Sequence, residues 1–315
     1  MATDRSDDRG RGKRGPGGRR DPGTRPGPGA VPRPRPAPIS AGRAALIVAL
    51  AVGALLCLAP FLYMASTSLK SISETITRVS PFPFTRDFWP RIPQWSNYAE
   101  AWTRASFSRF LRNSLVISAV TAAAVVATSS LAAYAFARIR FPGSRAVFSV
   151  LLATLIIPES VYLVPNFILV TRVGWYDTLA ALTVPFAANA FFIFLLRQFF
   201  AQIPADVLES ARIDGAGHLR SLVSMVLPLS TAPLFTVVFL TFLGSWNSLQ
   251  WPLVATRTAR WRPITVGLTT FNSDAGPQNQ LLMAGAVIAV VPVVALYVMA
   301  QKQFTEAIAR TGIKG

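Results

Sequence analysis

The chain has 315 residues, of which 52% are hydrophobic and only 14% are charged, and its mean hydropathy is +0.42. Because soluble chains carry about a quarter charged residues, this composition argues against a pair of soluble domains and indicates an integral membrane protein. One cysteine and one histidine exclude a disulfide framework and a Cys/His metal cluster, while the net charge of +17 must be concentrated in a few places.

Residues 1–43 form a separate compositional block. They hold 11 of the 31 lysines and arginines, together with eight prolines and nine glycines, and almost nothing apolar. Such a segment cannot bury enough apolar surface to offset the loss of chain entropy, so we predict a disordered cytoplasmic tail. Nucleic-acid binding by this basic arm is an alternative interpretation. Taken with the hydrophobic remainder of the chain, the composition leads us to expect no nucleic-acid partner.

Six apolar segments follow, and each is long enough to cross about 30 Å of hydrocarbon as a helix. The first, 44–64, carries no charge. A cleaved signal peptide is the competing interpretation, but this apolar run is longer than such a peptide needs. Of the six, the third carries one acidic residue, Glu159, next to Pro158. The predicted spans are residues 44–64, 113–137, 146–171, 178–196, 226–246 and 281–300.

An even number of spans places both termini on the same side of the membrane, and the positive charges indicate which side. If the tail, the 138–145 loop, the 197–220 loop and the C-terminus face the cytoplasm, that side holds 20 lysines and arginines and the other side holds 11. Cytoplasmic loops carry the excess of positive charge. We therefore predict a multi-pass protein of the bacterial plasma membrane with cytoplasmic N- and C-termini.

The sequence offers no energy source of its own. A phosphate-binding loop needs a glycine ahead of Lys-Ser or Lys-Thr, and the one such pair, Lys70-Ser71, is preceded by Leu69. Gradient-driven carriers place several ionisable groups at mid-membrane, whereas these spans offer Glu159 alone. A carboxylate there costs about 2.5–3.5 kcal/mol, so Glu159 is predicted either to line a translocation pathway or to pack between helices. A membrane enzyme would need a nucleophile and a base that we do not find, so we predict no enzymatic activity.

The loop at 197–220 has the pattern of a segment that transmits force to a membrane span. Pro204 suits the first turn of a helix, and Asp206 with Glu209 resembles a capping pair. Gly215 and Gly217 permit a sharp turn near residue 214, and helical spacing then resumes and leads into the fifth span. A short helix, a glycine turn and a second helix attached to the membrane would convert force on the first helix into motion of a span.

At these residues the chain resembles the EAA loop of ABC importer permeases, which reads E-A-A, three residues, G, nine residues, I-x-L-P. The spacing matches throughout; Ser210 replaces the second alanine and Met225 replaces the isoleucine. The D-G-A of sugar importers is also present. The matching residues are Glu209, Ser210, Ala211, Asp214, Gly215, Ala216, Leu227 and Pro228.

The resemblance to carbohydrate-type permeases covers residues 44–315. Trp246-Asn247 and Trp251-Pro252-Leu253 fit the family's W-N-D-x-x-W-P-L run, with Ser248 where aspartate is usual. The ending resembles that of the smaller maltose-transporter permease. Further matching positions are Asn113, Ser114, Tyr134, Arg138, Phe141, Pro142, Gly143, Pro158, Pro165, Gly174 and Thr178.

This resemblance implies an all-α polytopic protein with six transmembrane helices and the type I ABC importer permease fold. It implies a heterodimer with a second permease, two ATP-binding subunits, an extracytoplasmic solute-binding protein and a surround of membrane lipid. The chain itself would bind no cofactor, because ATP would be bound by the partner subunits. Residues 205–214 would be the coupling helix, with Glu209 touching a basic group of an ATPase and Gly215 shaping the bend.

We therefore expect a permease subunit of a binding-protein-dependent importer for sugars or oligosaccharides, forming half of the translocation pathway. Trp246 and Asn247, like Glu159, are candidates for lining that pathway, although interface anchoring also explains the tryptophan. A permease for a polyol or glycerol phosphate is the alternative, and a gradient-driven secondary carrier is a further one.

Overall fold

The computed structural model describes residues 41–77, 85–104, 106–213, 215–273 and 276–312. Residues 1–40 of the predicted tail, Asp214 and the end of the chain at 313–315 lie outside the described residues. The chain divides into two units, residues 1–53 and 54–315. Three clusters of buried apolar side chains among the described residues all lie in the second unit.

The described chain is almost entirely helical. Its α-helices are α1 (Ala41–Ser68), α2 (Ile72–Thr77), α3 (Ser96–Arg104), α4 (Phe107–Arg138), α5 (Ser144–Ala153), α6 (Leu163–Arg172), α7 (Leu179–Thr183), α8 (Ala190–Gln202), α9 (Ala205–Ile213), α10 (His218–Ser221), α11 (Leu227–Leu229), α12 (Thr231–Asn247), α13 (Gln250–Ala255), α14 (Ile264–Thr269) and α15 (Asn279–Gly312). Short three-ten helices cover Thr154–Ile156, Glu159–Tyr162 and Val184–Phe186, and Leu222–Val226 forms a π-helical turn. Strands β1 (Asn272–Ser273) and β2 (Gly276–Pro277) form a two-stranded antiparallel pair, with Asn272 opposite Pro277.

Three stretches, within α1, α4 and α15, are each long and apolar enough to cross a membrane as one helix. Three further stretches meet the same criterion only as pairs of helices that are bent at a short break. The bends are 95° between 144–156 and 159–172, 48° between 179–186 and 190–202, and 86° between 218–229 and 231–247. If each bent pair is one span, the described residues give up to six crossings, as the sequence predicts.

The bends explain where the structure differs from continuous spans at 146–171, 178–196 and 226–246. At the first, Ile157 is extended, with φ −80° and ψ 120°, as the residue before Pro158 is expected to be. At the third, Ser230 leaves the helical region, and Pro233 lacks the N–H that would have bonded the carbonyl of residue 229. Helix α12 therefore begins at Thr231 rather than at the predicted residue 226.

Helix α4 is the centre of the second unit, since it packs along both α8 and α12. Its buried face carries four serines and two alanines, and small side chains let neighbouring helices approach closely. The cluster nearest the C-terminal end of α4 joins it to α8, to the π-helical turn and to α12. Its buried members are Val125, Ala133, Tyr134, Phe192, Leu196, Phe200, Leu222, Val226 and Val237.

A second cluster surrounds the N-terminal end of α4, where α14 lies directly against it. A Cβ atom on Gly267 would lie 2.2 Å from Cδ2 of Phe110, so only glycine permits this contact. The same cluster takes in Phe107 and Ile264, both fully buried. The N-terminal end of α4 is therefore fixed by tight packing as well as by the hydrogen bonds described below.

Candidate functional site

Two adjoining cavities lie between α4, α8, α12 and α13, and their volumes are about 280 Å³ and 760 Å³. They share part of their lining, so we treat them as one site and call it the cleft. The shared lining residues are Glu159, Phe186, Asn189, Gly244, Ser248 and Trp251. The larger cavity, at about 760 Å³, is within the range of small-molecule sites, about 300–1,000 Å³.

The helix breaks build the cleft. The break at Pro158 places the three-ten turn Glu159–Tyr162 on its wall. The break before α8 places Asn189 there, and this side chain caps α8 because its Oδ1 accepts the N–H groups of Phe191 and Phe192 at 2.9 and 3.3 Å. Helix α12 ends at the cleft with Asn247. Non-helical backbone at membrane depth is tolerated where it lines such a cavity.

Uncharged polar side chains make up much of the cleft lining. Amides and hydroxyls both donate and accept hydrogen bonds, so they can replace the water around a solute that carries hydroxyl groups. The amide and hydroxyl residues of the lining are Asn166, Asn189, Asn247, Gln250, Thr121, Thr154, Ser160, Tyr162, Thr241, Ser245 and Ser248.

Among the residues that the structure describes, Glu159 is the one acidic or basic side chain of the cleft lining. Its side chain is exposed within the chain, and the structure gives it no hydrogen bond or ion pair with any described residue. Of the two sequence interpretations of Glu159, the geometry agrees with a place on the cavity wall.

The two tryptophans near the end of α12 have different surroundings. Trp251 borders the cleft, where its Nε1–H donates to the carbonyl of Ala181 at 2.9 Å and its ring meets Phe186 edge-on. Trp246 is 2% exposed, stacks on Phe242 and belongs to the cluster around the N-terminal end of α4. Trp246 lines neither cavity, whereas its neighbour Asn247 lines the larger one.

The N-terminal end of α4 is tied to the segment that precedes α14. Asn113 Nδ2, fully buried, donates to the carbonyls of Arg260 and Arg262 at 2.9 and 3.0 Å. Ser114 Oγ accepts the N–H of Ile264 at 2.8 Å. These bonds join residues about 150 positions apart in sequence, so no local spacing could have indicated them.

The same segment is joined to the α6–α7 loop through Asp177. The carboxylate accepts the N–H groups of Arg257 and Thr258 at 3.0 and 3.1 Å and the Thr258 hydroxyl at 2.7 Å. Partial burial alone would raise the pKa of Asp177, but these hydrogen bonds and the nearby charge of Arg262 outweigh burial and hold the pKa below its usual value.

The segment with the EAA pattern lies at the other end of α4. Helix α9 exposes Glu209 and Ser210, while Leu208 on its other side packs against the cluster at that end of α4. Gly215 has φ +78°, a conformation that glycine adopts without strain. Ala216 and Leu227 are half-buried and Pro228 is exposed. The side chain of Ala211 and all of Asp214 lie outside what the structure describes.

Two side chains of α4 reach this segment and the preceding end of α8. Arg138 donates from Nη2 to the carbonyl of Phe200 at 2.5 Å and to that of Ile203, which satisfies the C-terminal end of α8. The Tyr134 hydroxyl lies 3.4 Å from Nδ1 of His218, the first residue of α10, and the two rings meet edge-on. The sequence comparison marked Tyr134 and Arg138 as family positions but did not indicate these contacts.

Comparisons with known proteins are consistent with this architecture. Residues 119–310 match the model of a family described as binding-protein-dependent transport system inner membrane component. The sn-glycerol-3-phosphate transport system permease protein UgpE of Rhizobium meliloti is 32% identical over 83% of this chain and 94% of its own. The diacetylchitobiose uptake system permease protein NgcG of Streptomyces coelicolor is 32% identical over 80% of this chain and 82% of its own.

Solved structures have the same fold. A chain of a bacterial ABC transporter involved in the import of the acidic polysaccharide alginate superposes with a TM-score of 0.70 at 25% identity, over 82% of this chain and 95% of that one. A chain of the bacterial alginate ABC transporter in complex with alginate pentasaccharide-bound periplasmic protein gives a TM-score of 0.58 at 13% identity, over 82% and 93%. The second likeness concerns the fold alone.

Proposed function

This chain belongs to the family of binding-protein-dependent transport system inner membrane components, and on that premise we propose that it is one permease subunit of an ATP-driven importer for sugars or oligosaccharides. It is a multi-pass protein of the plasma membrane. Its partners are a second permease, two ATP-binding subunits and an extracytoplasmic solute-binding protein. In this assembly the cleft is its half of the translocation pathway, with Glu159 and Asn247 on the wall.

The observation that carries the proposal is a succession of helices, interrupted at residues 215–217 and at Ser230, from the exposed helix α9 to the cleft. Helix α9 is exposed at Glu209 and is followed, after Gly215, by α10, the π-helical turn and α11. Helix α12 comes next and ends at the cleft with Asn247. This succession supports the proposal that force applied to α9 is transmitted along the chain to the cavity wall.

A π-helical turn and an 86° bend lie along this path. Such turns occur frequently at functional sites, and bends of this kind let one helix swing while its neighbours stay packed. We propose that the segment from Ala205 to Pro228 is the coupling segment and that Glu209, Ser210, Ala211, Asp214, Gly215 and Ala216 form its contact with an ATPase subunit, with Leu227 and Pro228 at its junction to the span.

In this mechanism the chain makes and breaks no covalent bond. ATP closes the partner nucleotide-binding dimer, α9 moves with the subunit to which it docks, and the two permeases reorient the cleft from one side of the membrane to the other. The excess of lysine and arginine in the tail, the 138–145 and 197–220 loops and the C-terminus supports cytoplasmic termini and a cytoplasmic α9.

A permease for glycerol phosphate is the second candidate, because a relative that bears that name is as similar to this chain, at 32% identity, as the diacetylchitobiose permease. Overall identity therefore does not separate the two solute classes. The chemistry of the cleft supports the uncharged sugar over the phosphate ester.

Charge reversal at Glu209 tests the proposal. In the importer purified with its native partners and reconstituted into liposomes, we expect Glu209→Lys to leave the complex assembled but to lower ATP-driven uptake by about tenfold or more, because one charge-assisted contact is lost. ATP hydrolysis and uptake are measured on the same preparation, so their ratio reports coupling.

Glu100→Lys is the matched control, because Glu100 is a partly exposed carboxylate on α3 whose recorded ion-pair partner is Arg104 of the same helix. We expect this variant to import at the rate of the unmodified protein. Unimpaired uptake by Glu209→Lys would refute the assignment of α9 as the coupling helix, and solute movement by this subunit without ATPase partners would refute the importer itself.

A further inference from the structure

The charge of the cleft is unusual for a protein with 31 lysines and arginines. Neither cavity is lined by lysine or arginine, and Glu159 is the only charged side chain on their walls in the part of the chain that the structure describes. Binding sites for phosphate esters and carboxylates ordinarily supply arginine or lysine. The walls seen here offer an anion one negative charge and no positive one.

Two of the helix ends at the cleft, the N-terminal end of α8 and the C-terminal end of α12, do not supply the missing positive charge. Helix α8 points its N-terminus at the cavity, and a free N-terminus would attract an anion. However, Asn189 Oδ1 already accepts the N–H groups of Phe191 and Phe192. Helix α12 presents its C-terminal end, near Asn247, to the larger cavity, and that end carries partial negative charge.

The remaining lining is suited to hydroxyl groups. Amides from four separate segments and several hydroxyls line the two cavities, together with the rings of Phe186, Tyr162 and Trp251. A carboxylate without a partner is a strong acceptor for neighbouring sugar hydroxyls. The cleft thus combines apolar ring edges, neutral hydrogen-bonding groups and one acceptor charge.

We propose that Glu159 sets the charge selectivity of the pathway, so that the cleft takes an uncharged polyhydroxylated solute and excludes phosphate esters and other organic anions. The inference rests on the proposed function, since it assumes that solute passes through the cleft. It separates the neutral oligosaccharide candidate from the glycerol phosphate candidate, which sequence similarity does not.

The field of Glu159 can be measured with thiol reagents of opposite charge. Cys57 is the one cysteine of the chain, so Cys57→Ser combined with Ser160→Cys places a single thiol on the wall of the larger cavity. In the full importer, the rates of modification of this subunit are compared for trimethylammonium-ethyl and sulfonato-ethyl methanethiosulfonate. Each rate is divided by the rate for a free thiol in solution.

We expect the cation to react about tenfold faster than the anion after this correction, and Glu159→Gln to remove the preference. Glu100→Gln, which removes a carboxylate that lines neither cavity, should leave the preference unchanged. Gln250→Cys on α13 lines the same cavity and provides a second reporter if Ser160→Cys does not assemble. Equal rates for the two reagents in the protein with Glu159 intact would overturn the proposal.

The solute itself provides the second test. The native binding protein, recovered with the complex, is screened by thermal shift with diacetylchitobiose and with sn-glycerol-3-phosphate. Stabilisation by the neutral sugar supports the inference, and stabilisation by the phosphate ester overturns it. The uptake measurement on Glu209→Lys does not depend on the charge at residue 159. If the charge selectivity were absent, the importer assignment would therefore remain intact. If α9 did not couple ATP hydrolysis to uptake, the Glu209→Lys measurement would show it separately.

Discussion

The two ends of helix α4 are held in different ways. Near its N-terminus, Asn113 and Ser114 are buried and bond directly to the backbone of residues 260–264. About 30 Å further along the axis, Tyr134 makes one long contact with an exposed histidine. The first end is anchored by buried hydrogen bonds, whereas the second meets the α9–α10 segment through apolar packing and one long polar contact.

This difference is expected of a helix whose N-terminal end stays in place while its C-terminal end contacts a segment that moves. Elements that move during function come from the least stabilised parts of a structure. Arg138 is the exception at the second end, because its guanidinium holds the carbonyls of Phe200 and Ile203. Because that contact fixes α8 to α4, we expect movement to begin at the junction with α10, at Tyr134 and His218.

The largest effect is expected from Asn113→Ala. The variant removes a fully buried amide and leaves two carbonyls, those of Arg260 and Arg262, without their donor. We expect the free energy of unfolding to fall by about 1–3 kcal/mol. The midpoint of thermal unfolding of the purified complex is the measurement.

Asn279→Ala provides the comparison for this variant, because the structure gives the Asn279 side chain no hydrogen bond with a described residue. If both variants unfolded at the same temperature, the anchoring of the N-terminal end of α4 would have to be assigned to apolar packing alone, such as that of Phe110 against Gly267.

A smaller and pH-dependent effect is expected from Asp177→Asn. The pKa of Asp177 is depressed in the folded protein, so the unfolded chain binds its proton more readily. The stabilisation is therefore complete above the unfolded pKa of about 3.9 and is lost as the pH falls through the lower folded pKa. Asparagine tolerates the positive φ of this position, 62°, so the backbone should be preserved.

The test is to measure the midpoint of thermal unfolding from pH 7 down to the lowest pH at which the complex stays assembled. The difference in unfolding midpoint between the unmodified protein and Asp177→Asn should be constant at neutral pH. It should disappear below about pH 4. Asp206→Asn is the control, since the structure gives that exposed carboxylate no hydrogen bond with a described residue. A gap that widened in acid would contradict the role assigned to the ionised carboxylate.

Much of the architecture could be predicted because it follows from local composition. Six apolar stretches indicated the crossings, and the glycine at 215 indicated the turn that the structure places there with positive φ. The helix α9, expected over residues 205–214, is described over Ala205–Ile213. These features depend on single segments, so hydrophobicity and backbone preference are sufficient to predict them.

What the sequence could not give depends on contacts between distant segments. The sequence makes Trp246 a candidate interface anchor or pathway residue, and the structure places its ring on Phe242 within the buried cluster at the N-terminal end of α4. Pro158 was visible in the sequence, yet the 95° bend also needs a cavity for the freed backbone to line. Likewise, nothing in the spacing indicated that Tyr134 lies beside His218.

The smallest change in stability is expected from Tyr134→Phe. This variant is also the most direct test of the difference between the two ends of α4. Loss of the hydroxyl should alter the free energy of unfolding by less than about 1 kcal/mol, because the ring remains packed and the contact is long, at 3.4 Å. Uptake per ATP hydrolysed should nevertheless fall about twofold to fivefold, since a loss of about 0.5–1 kcal/mol of coupling has that effect. Tyr176→Phe, whose ring contacts Phe167 in the α6–α7 region, should change neither quantity.

The contribution of the contact between Tyr134 and His218 can be measured by adding His218→Ala and the double variant. If the hydroxyl acts through His218, the two single changes should lower the uptake ratio by amounts that do not add in the double variant, because neighbouring residues that share one contact are not independent. Additive losses would mean that Tyr134 stabilises α4 by itself. In that case the junction between α4 and α10 is as fixed as the end at Asn113, and movement must begin elsewhere along the coupling segment.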